Sequence, residues 1–236
     1  MGNLPVYATK GFEYLLILGF LIVFTTFFLY FTSRGFEEAK AVVRPTIDYL
    51  VDWFRVPDNV LFHQGHAWAR VEESEPGIVR VGMDDFALKM AGSLAINNSP
   101  PVGSAIKQGG KGWSLHDDKK AVDMLMPLSG EVVDVNEEML AAVESDSDID
   151  SELRSDPYGK GWILKIKPED FERESRGLLK GSLARKWMEG VTNQLRQKMS
   201  TELGDIMQDG GVPMAGMAKN INAEEWDLLL KEFFMT

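Results

Sequence analysis

Cysteine is absent from this chain of 236 residues. That excludes disulfides, thiolate-ligated zinc, cysteine-bound iron–sulfur clusters and a cysteine nucleophile. Positive charge is in short supply, with 25 Lys and Arg against 36 Asp and Glu and a formal net charge of −11. A field of that sign repels phosphate and argues against nucleic-acid binding. There are only three histidines. His63-x-x-His66 has a metal-like spacing, but no HExxH and no nearby carboxylate set completes a site. His116 stands beside Asp117, an arrangement ordinary on protein surfaces. GxSxG, phosphate-loop and GxGxxG patterns are missing, and Gly109-Gly110-Lys111-Gly112-Trp113 lacks phosphate-loop spacing. The chain is therefore expected to be no enzyme, with no catalytic residues and no metal.

What is present begins with an apolar run. Tyr14–Ser33 is 20 residues without a charge, a helix of about 30 Å, which matches a bilayer's hydrocarbon core. Tyr14 and Tyr30 stand near its two ends, where rings with a polar tip settle. A cleaved signal peptide would have a shorter apolar core and a small-residue cleavage site, whereas this run ends in FTSRG. Lys10 is the one basic residue before it; Arg34, Lys40, Arg44 and Arg55 follow. The positive-inside rule then predicts a single-pass protein of the inner or cytoplasmic membrane with its C-terminal side in the cytoplasm. Gly35 to Trp53 reads as a juxtamembrane helix that Pro45 starts, kinks or splits.

From Pro57 the pattern changes to short apolar or alternating runs: HAWARVE, GIVRVGM, AGSLAIN, KGWSLHD, AVDMLMP, GEVVDVN and GWILKIK. Pro76-Gly77, Pro100-Pro101, Gly109-Gly110 and Ser129-Gly130 punctuate them. Short strands with such breaks predict a compact β-rich sandwich or barrel. The acidic and Ser-rich ESDSDIDSE (Glu144–Glu152) reads as a solvated loop. After Pro168, Leu183, Trp187, Val191, Leu195, Met199 and Leu203 recur every fourth residue, predicting an amphipathic helix from Glu169 or Gly181 to Gln208. MAGMAKN reads as loop. A last helix is predicted from Asn222, with Glu225 completing a capping box and Trp226, Leu229, Leu230 and Phe233 as its stripe. Both stripes either cover the β domain or dock on a partner, and their length beyond the β region favours a partner.

The strand motifs, taken in order, resemble the glycine cleavage H-protein family. HAWARVE resembles its opening His-x-Trp strand, and GIVRVGMDDFALKMAG its strand and short helix. PPVGSAIKQG takes the place of its Pro-x-Val-Gly turn. MPLSGEVVDVNEEML resembles its Pro-x-Ser-Gly-Glu hairpin, and SDPYGKGWILKIKP its Asp-Pro-Tyr-Gly-x-Gly-Trp signature. The resemblance implies a barrel-sandwich hybrid with short helices. It also implies a carrier with no active site of its own, its lipoyl group amide-linked to a lysine on an exposed hairpin tip. Counting eight back from Pro127, as the family does, reaches Lys119, with Asp123 four on; the family's Lys-Ala pair instead matches Lys120-Ala121. Both lysines are candidate attachment points. The approach His116-Asp117-Asp118 departs from the family's Glu-Ser-Val.

The sequence thus predicts an α+β chain. Residues 1–13 are a tail, 14–33 a transmembrane helix, 34–56 a juxtamembrane helix or linker, 57–175 the β domain and 176–236 a helical extension. Two functions fit. One is a non-catalytic, membrane-anchored subunit or scaffold of an electron-transfer complex, touching other subunits and, through Tyr14–Ser33, lipid. The other is a membrane-tethered lipoyl carrier using Lys119 or Lys120. The anchor, the altered lysine approach and the extra helices favour the first.

Overall fold

The computed structural model describes residues 6–33, 48–117, 120–142, 155–202 and 216–236. It divides into two compact units, Met1–Pro45 and Thr46–Thr236.

In the first unit Val6–Ser33 forms a single helix of 28 residues, α1. Its described side chains from Glu13 to Phe27 are all exposed. The Thr26 hydroxyl donates back to the Ile22 carbonyl at 2.6 Å, as a hydroxyl in an apolar helix must. Among the described residues no helix is long and apolar enough to cross a membrane. The expected juxtamembrane stretch 34–47 lies outside the described residues.

The second unit opens with a correction. Where the sequence predicts helix up to Trp53, β1 (Asp48–Val51) and β2 (Phe54–Pro57) pair as an antiparallel hairpin. Asp52 takes the left-handed turn position at φ 53°. Phe54 and Val56 are buried with Arg55 between them turned out, a period of two that only a strand can satisfy. The strands that follow are β3 (Leu61–Phe62), β4 (Ala67–Val71), β5 (Val79–Met83), β6 (Ala95–Asn97), β7 (Ala105–Ile106), β8 (Lys111–Asp117), β9 (Lys120–Leu125), β10 (Gly130–Val135) and β11 (Trp162–Pro168). One sheet runs β3-β4-β5-β11-β10-β7 and another β6-β8-β9, every pairing antiparallel. Both sheets contribute to one core, where Trp68, Trp113, Phe54, Phe62 and Phe86 are sealed from solvent. With the short helices α2 (Asp85–Ala91), α3 (Glu137–Ala142) and α4 (Phe171–Ser175), this is the barrel-sandwich arrangement expected.

The motif residues hold this body together. Gly82 lets Trp68 lie on β5, because a Cβ there would sit 2.9 Å from the indole and 2.9 Å from the Gly161 carbonyl; the indole N–H then donates to the Met83 carbonyl at 2.8 Å. Asp84 caps α2 by accepting from the Ala87 N–H at 2.7 Å, and its other oxygen lies 2.8 Å from His66 Nδ1. Ser129 bonds both oxygens of Glu174, at 2.6 and 2.7 Å. The Asn136 amide donates to the Lys160 and Trp162 carbonyls at 3.1 and 2.8 Å, while its oxygen accepts from Met139 N–H at the start of α3. Asp156 closes its own turn by accepting from the Gly159 and Lys160 N–H groups, both at 3.0 Å. The Tyr158 hydroxyl donates to the Arg55 carbonyl at 2.6 Å and accepts from Asp85 N–H at 3.2 Å. It thereby sews the Asp-Pro-Tyr-Gly turn to β2 and α2.

The C-terminal helices pack on this body: α5 (Gly181–Glu202), α6 (Met217–Ile221) and α7 (Trp226–Phe234). The expected fourfold stripe on α5 does not make one face. At 3.6 residues per turn each step of four drifts about 40°, so Leu183 ends up exposed while Met199 is buried. The buried row is Ala184, Met188, Val191, Leu195 and Met199, the 3.6-residue period of a core-facing helix. It belongs to the same core as the sheets, so this stripe is spent within the chain rather than on a partner. Arg196 fixes α5 to the first hairpin, 3.2 Å from Asp52 and 4.7 Å from the Trp53 ring centre. MAGMAKN, expected as loop, supplies α6, with Met217 and Ala218 buried. Asn222 does cap, accepting from the Glu224 and Glu225 N–H groups at 3.1 and 3.0 Å. The turn it closes precedes α7, which starts only at Trp226. Trp226, Leu230, Phe233 and Phe234 of α7 are buried.

Candidate functional site

The candidate site is the hairpin of β8 and β9. Trp113 and Leu115 on one strand, and Val122 and Met124 on the other, are fully buried, so alternate side chains root the hairpin in the core. Its register runs Ser114↔Asp123, Leu115↔Val122, His116↔Ala121 and Asp117↔Lys120. β6 flanks β8 on the other side, Ala95↔His116 through Asn97↔Ser114. Asp123, partway along, accepts from the Ser114 hydroxyl at 2.8 Å and meets the Lys111 ammonium at 2.8 Å. Burial alone would push its carboxyl up, but those hydrogen bonds and the Lys111 charge more than offset that and hold it below the usual carboxylate range. The hairpin stem is thus apolar inside and charge-balanced outside.

At the turn end of the hairpin the last register pair is held from both flanks. Asp117 Oδ2 lies 2.6 Å from Lys219 Nζ of α6. Lys120 Nζ lies 2.8 Å from Asp227 Oδ1 of α7 and donates to the Glu224 carbonyl. The other Asp227 oxygen lies 3.3 Å from Lys231 Nζ, one helical turn on. The Lys120 hydrogen bond, against the opposing effect of burial and aided by Lys231, holds the Asp227 carboxyl below its usual range.

Of the sequence candidates, Lys120 begins β9 in this grip, and Lys119, with Asp118, lies outside the described residues. A lipoyl group needs an amine on a narrow projecting turn. The hairpin fits it, since its stem is rooted in the core and its last paired residues, Asp117 and Lys120, enclose only two positions. His116 Nε2 lies 3.0 Å from Asn98 Nδ2, held in the sheet rather than set out as a base. His63 Nδ1 accepts from Gly65 N–H at 3.0 Å; burial, and then the neighbouring His66, lower its pKa. His66 faces Asp84 and stacks on Phe86 at 4.3 Å, so the two histidines do not converge. Among the described residues no group of three or more His, Asp or Glu side chains is placed to hold a metal. Sequence reasoning missed Lys219, Glu224 and Asp227. Nothing in their local pattern signals a hairpin 104 positions upstream of Glu224.

Comparison with known proteins places these motifs in one family. The sequence model of the glycine cleavage H-protein matches residues 60–190. A probable glycine cleavage system H protein of Pyrococcus horikoshii is 36% identical over 126 residues, covering 53% of this chain and 87% of that protein. The glycine cleavage system H protein of Prochlorococcus marinus is 35% identical over 117 residues, covering 50% and 84%. The crystal structure of a glycine cleavage system H protein from Mycobacterium marinum superposes with a TM-score of 0.43 at 25% identity, over 58% of this chain and 99% of that one. The model spans more than half of the residues, and its motifs are the ones that cap α2, seat Trp68 and sew β2 to the Asp-Pro-Tyr-Gly turn; the chain belongs to the glycine cleavage H-protein family.

Proposed function

We propose that this chain is a non-catalytic carrier that presents a lipoyl group on Lys119, at the end of the β8–β9 hairpin, to partner enzymes. The observation that carries the reading is the hairpin itself. Its stem is anchored by four buried side chains, and its last pair is Asp117↔Lys120, so a lysine lies on the two-residue connection between them. A carrier needs a rigid post and a reachable amine more than it needs a pocket. When bound, the lipoyl group supplies a dithiolane that accepts and passes on electrons and an attached group. This chain's residues hold the post and fix its direction. Peptide mass mapping of the protein purified from its native source tests the reading. The lipoyl mass increment is expected on the peptide containing Lys119, and an unmodified hairpin in cells that lipoylate other proteins overturns it.

Attachment to a membrane through α1 is part of the same proposal. It is supported by the uncharged run Tyr14–Ser33 and by the exposure of apolar side chains such as Leu15, Leu16, Ile22 and Phe24. A second reading is a scaffold subunit of a membrane electron-transfer complex. The departure at His116-Asp117-Asp118 and the C-terminal helices beyond the matched residues favour it. Purification in mild detergent separates the two. Stably associated subunits on an unmodified hairpin support the scaffold, and a lone lipoylated chain excludes it.

A further inference from the structure

Lys119 and Lys120 are adjacent in sequence, and the C-terminal segment treats Lys120 in a particular way. Two oxygens of that segment, Asp227 Oδ1 and the Glu224 carbonyl, engage its ammonium. Across the strand, the partner residue Asp117 is held by Lys219 from the same segment. The charges are complementary in both directions, Lys to Asp and Asp to Lys, so this last pair has a fixed register against α6 and α7.

Whether this grip is a passing contact depends on how firmly the segment sits. Trp226, Leu230, Phe233 and Phe234 are buried. Burial of four large apolar side chains holds α7 against the body of the domain. The segment is a brace and not a flap, and Asp227 stays where α7 puts it. Lys231, four residues on, takes the other carboxylate oxygen and leaves Oδ1 for Lys120.

Acylation of a lysine makes the opposite demand. The ammonium must leave its acceptors and give up a proton. The neutral amine attacks the carbonyl carbon of an activated acyl donor, an acyl adenylate or thioester. The C–N bond forms, the nucleotide or thiol leaves with the electron pair of the broken bond, and the nitrogen releases a second proton to solvent. The geometry points to Asp227, with the Glu224 carbonyl, as the residue that slows this reaction at Lys120 and so biases acylation away from it. Both lie beyond the residues that match the family, 60–190, so the discrimination belongs to this chain's own extension. Its consequence rests on the carrier reading; its geometry does not.

The full chain is treated with a water-soluble N-hydroxysuccinimide ester of acetate, and labelling at each lysine is followed by peptide mass fragmentation over time. In the unmodified sequence Lys120 is expected to label about two- to fivefold more slowly than exposed Lys167, the range set by a surface ion pair. Asp227→Asn should abolish that lag at Lys120, with Lys231, the carboxylate's other partner, the one further lysine expected to change, and Asp227→Glu should restore it. Equal rates at Lys120 and Lys167 in the unmodified protein overturn the inference, as does a lag that survives in folded Asp227→Asn. Should that variant not fold, raising the salt to about 1 M, where screening is nearly complete, must shrink the lag in the unmodified protein; a lag indifferent to salt overturns it. An unmodified hairpin in the native source would end the carrier reading and leave these rates as they are, while equal labelling rates would end this inference and leave the carrier reading standing.

Discussion

Asp84 and Asp227 are both aspartates with both oxygens engaged, and they sit in opposite settings. Asp84 is sealed from solvent, with one oxygen on His66 and the other on the first turn of α2. Its partners lie 18 and 3 positions away and belong to the motifs that mark the family. Asp227 stands at the rim of the hairpin, its side chain 14% exposed against 40% for Lys120. Its carbonyl neighbour Glu224 reaches Lys120 across 104 positions, from a segment outside those motifs. The same chemistry therefore does two jobs: in the interior a carboxylate specifies the fold, and at the rim it chooses what a neighbouring amine is free to do.

The comparison breaks most sharply at Asp84. Asp84→Ala removes the cap of α2 and leaves buried His66 without its partner. Loss of the cap costs about 1 kcal/mol and a buried polar group left without its partner about 1–3 kcal/mol more, a large share of ordinary domain stability. Denaturant unfolding should show a midpoint lowered accordingly. A loss under about 1 kcal/mol would mean that His66 finds another partner and that the interior is not specified in this way.

Tyr158 sharpens the interior half. Burial first, then the Asp84 charge, push its hydroxyl well above the ordinary value of 10.0. Above about pH 10 the unfolded chain releases this proton while the folded one keeps it. The unfolded state then binds fewer protons, so stability falls as pH rises, by about 1.4 kcal/mol per pH unit for one proton. Tyr158→Phe loses the bonds to Arg55 and Asp85, and about 1 kcal/mol at neutral pH, yet its alkaline limb should be shallower by that one-proton slope. Equal slopes above pH 10 would show that Tyr158 ionises freely in the folded protein.

The interior was legible in the sequence and the rim was not, for a physical reason. His66, Asp84 and Asn136 sit in short motifs because their partners are fixed by backbone turns a few residues away or by nearby strands; Tyr158 bonds Arg55 and Asp85, 103 and 73 positions away, and was legible through its Asp-Pro-Tyr-Gly motif alone. The order of strands followed from alternation and from turn residues such as Ser129-Gly130. The helix expected from Gly35 to Trp53 overlaps only the first strand and turn of the hairpin Asp48–Pro57, since two short strands around one turn leave too few residues for periodicity to speak. The row on α5 was read at four residues when the helix repeats at 3.6, which put Leu183 on the buried face and missed Ala184 and Met188. Lys219 and Asp227 look in sequence like ordinary solvated helix charges. Only the burial of Trp226 and Phe234, which brings α7 against β9, turns them toward the hairpin.

The smallest effect is expected at the rim. Asp227→Asn removes a pair in which Lys120 remains two-fifths exposed, and pairs of that kind are worth at most about 1 kcal/mol. Its carboxyl lies below the ordinary value of 3.8 because of Lys120. The unfolded chain therefore takes up the proton first as pH falls. The stabilisation is complete above about 3.8 and is lost as pH drops from there through the folded value. Acid titrations of the two proteins followed by circular dichroism should converge below that window and differ slightly above it. The helices around α7 should keep the same melting behaviour within a few degrees at neutral pH. A loss as large as that of Asp84→Ala would make Asp227 a fold-holding residue like its interior counterpart, and selective control of Lys120 would then have to be separated from general loosening of the brace.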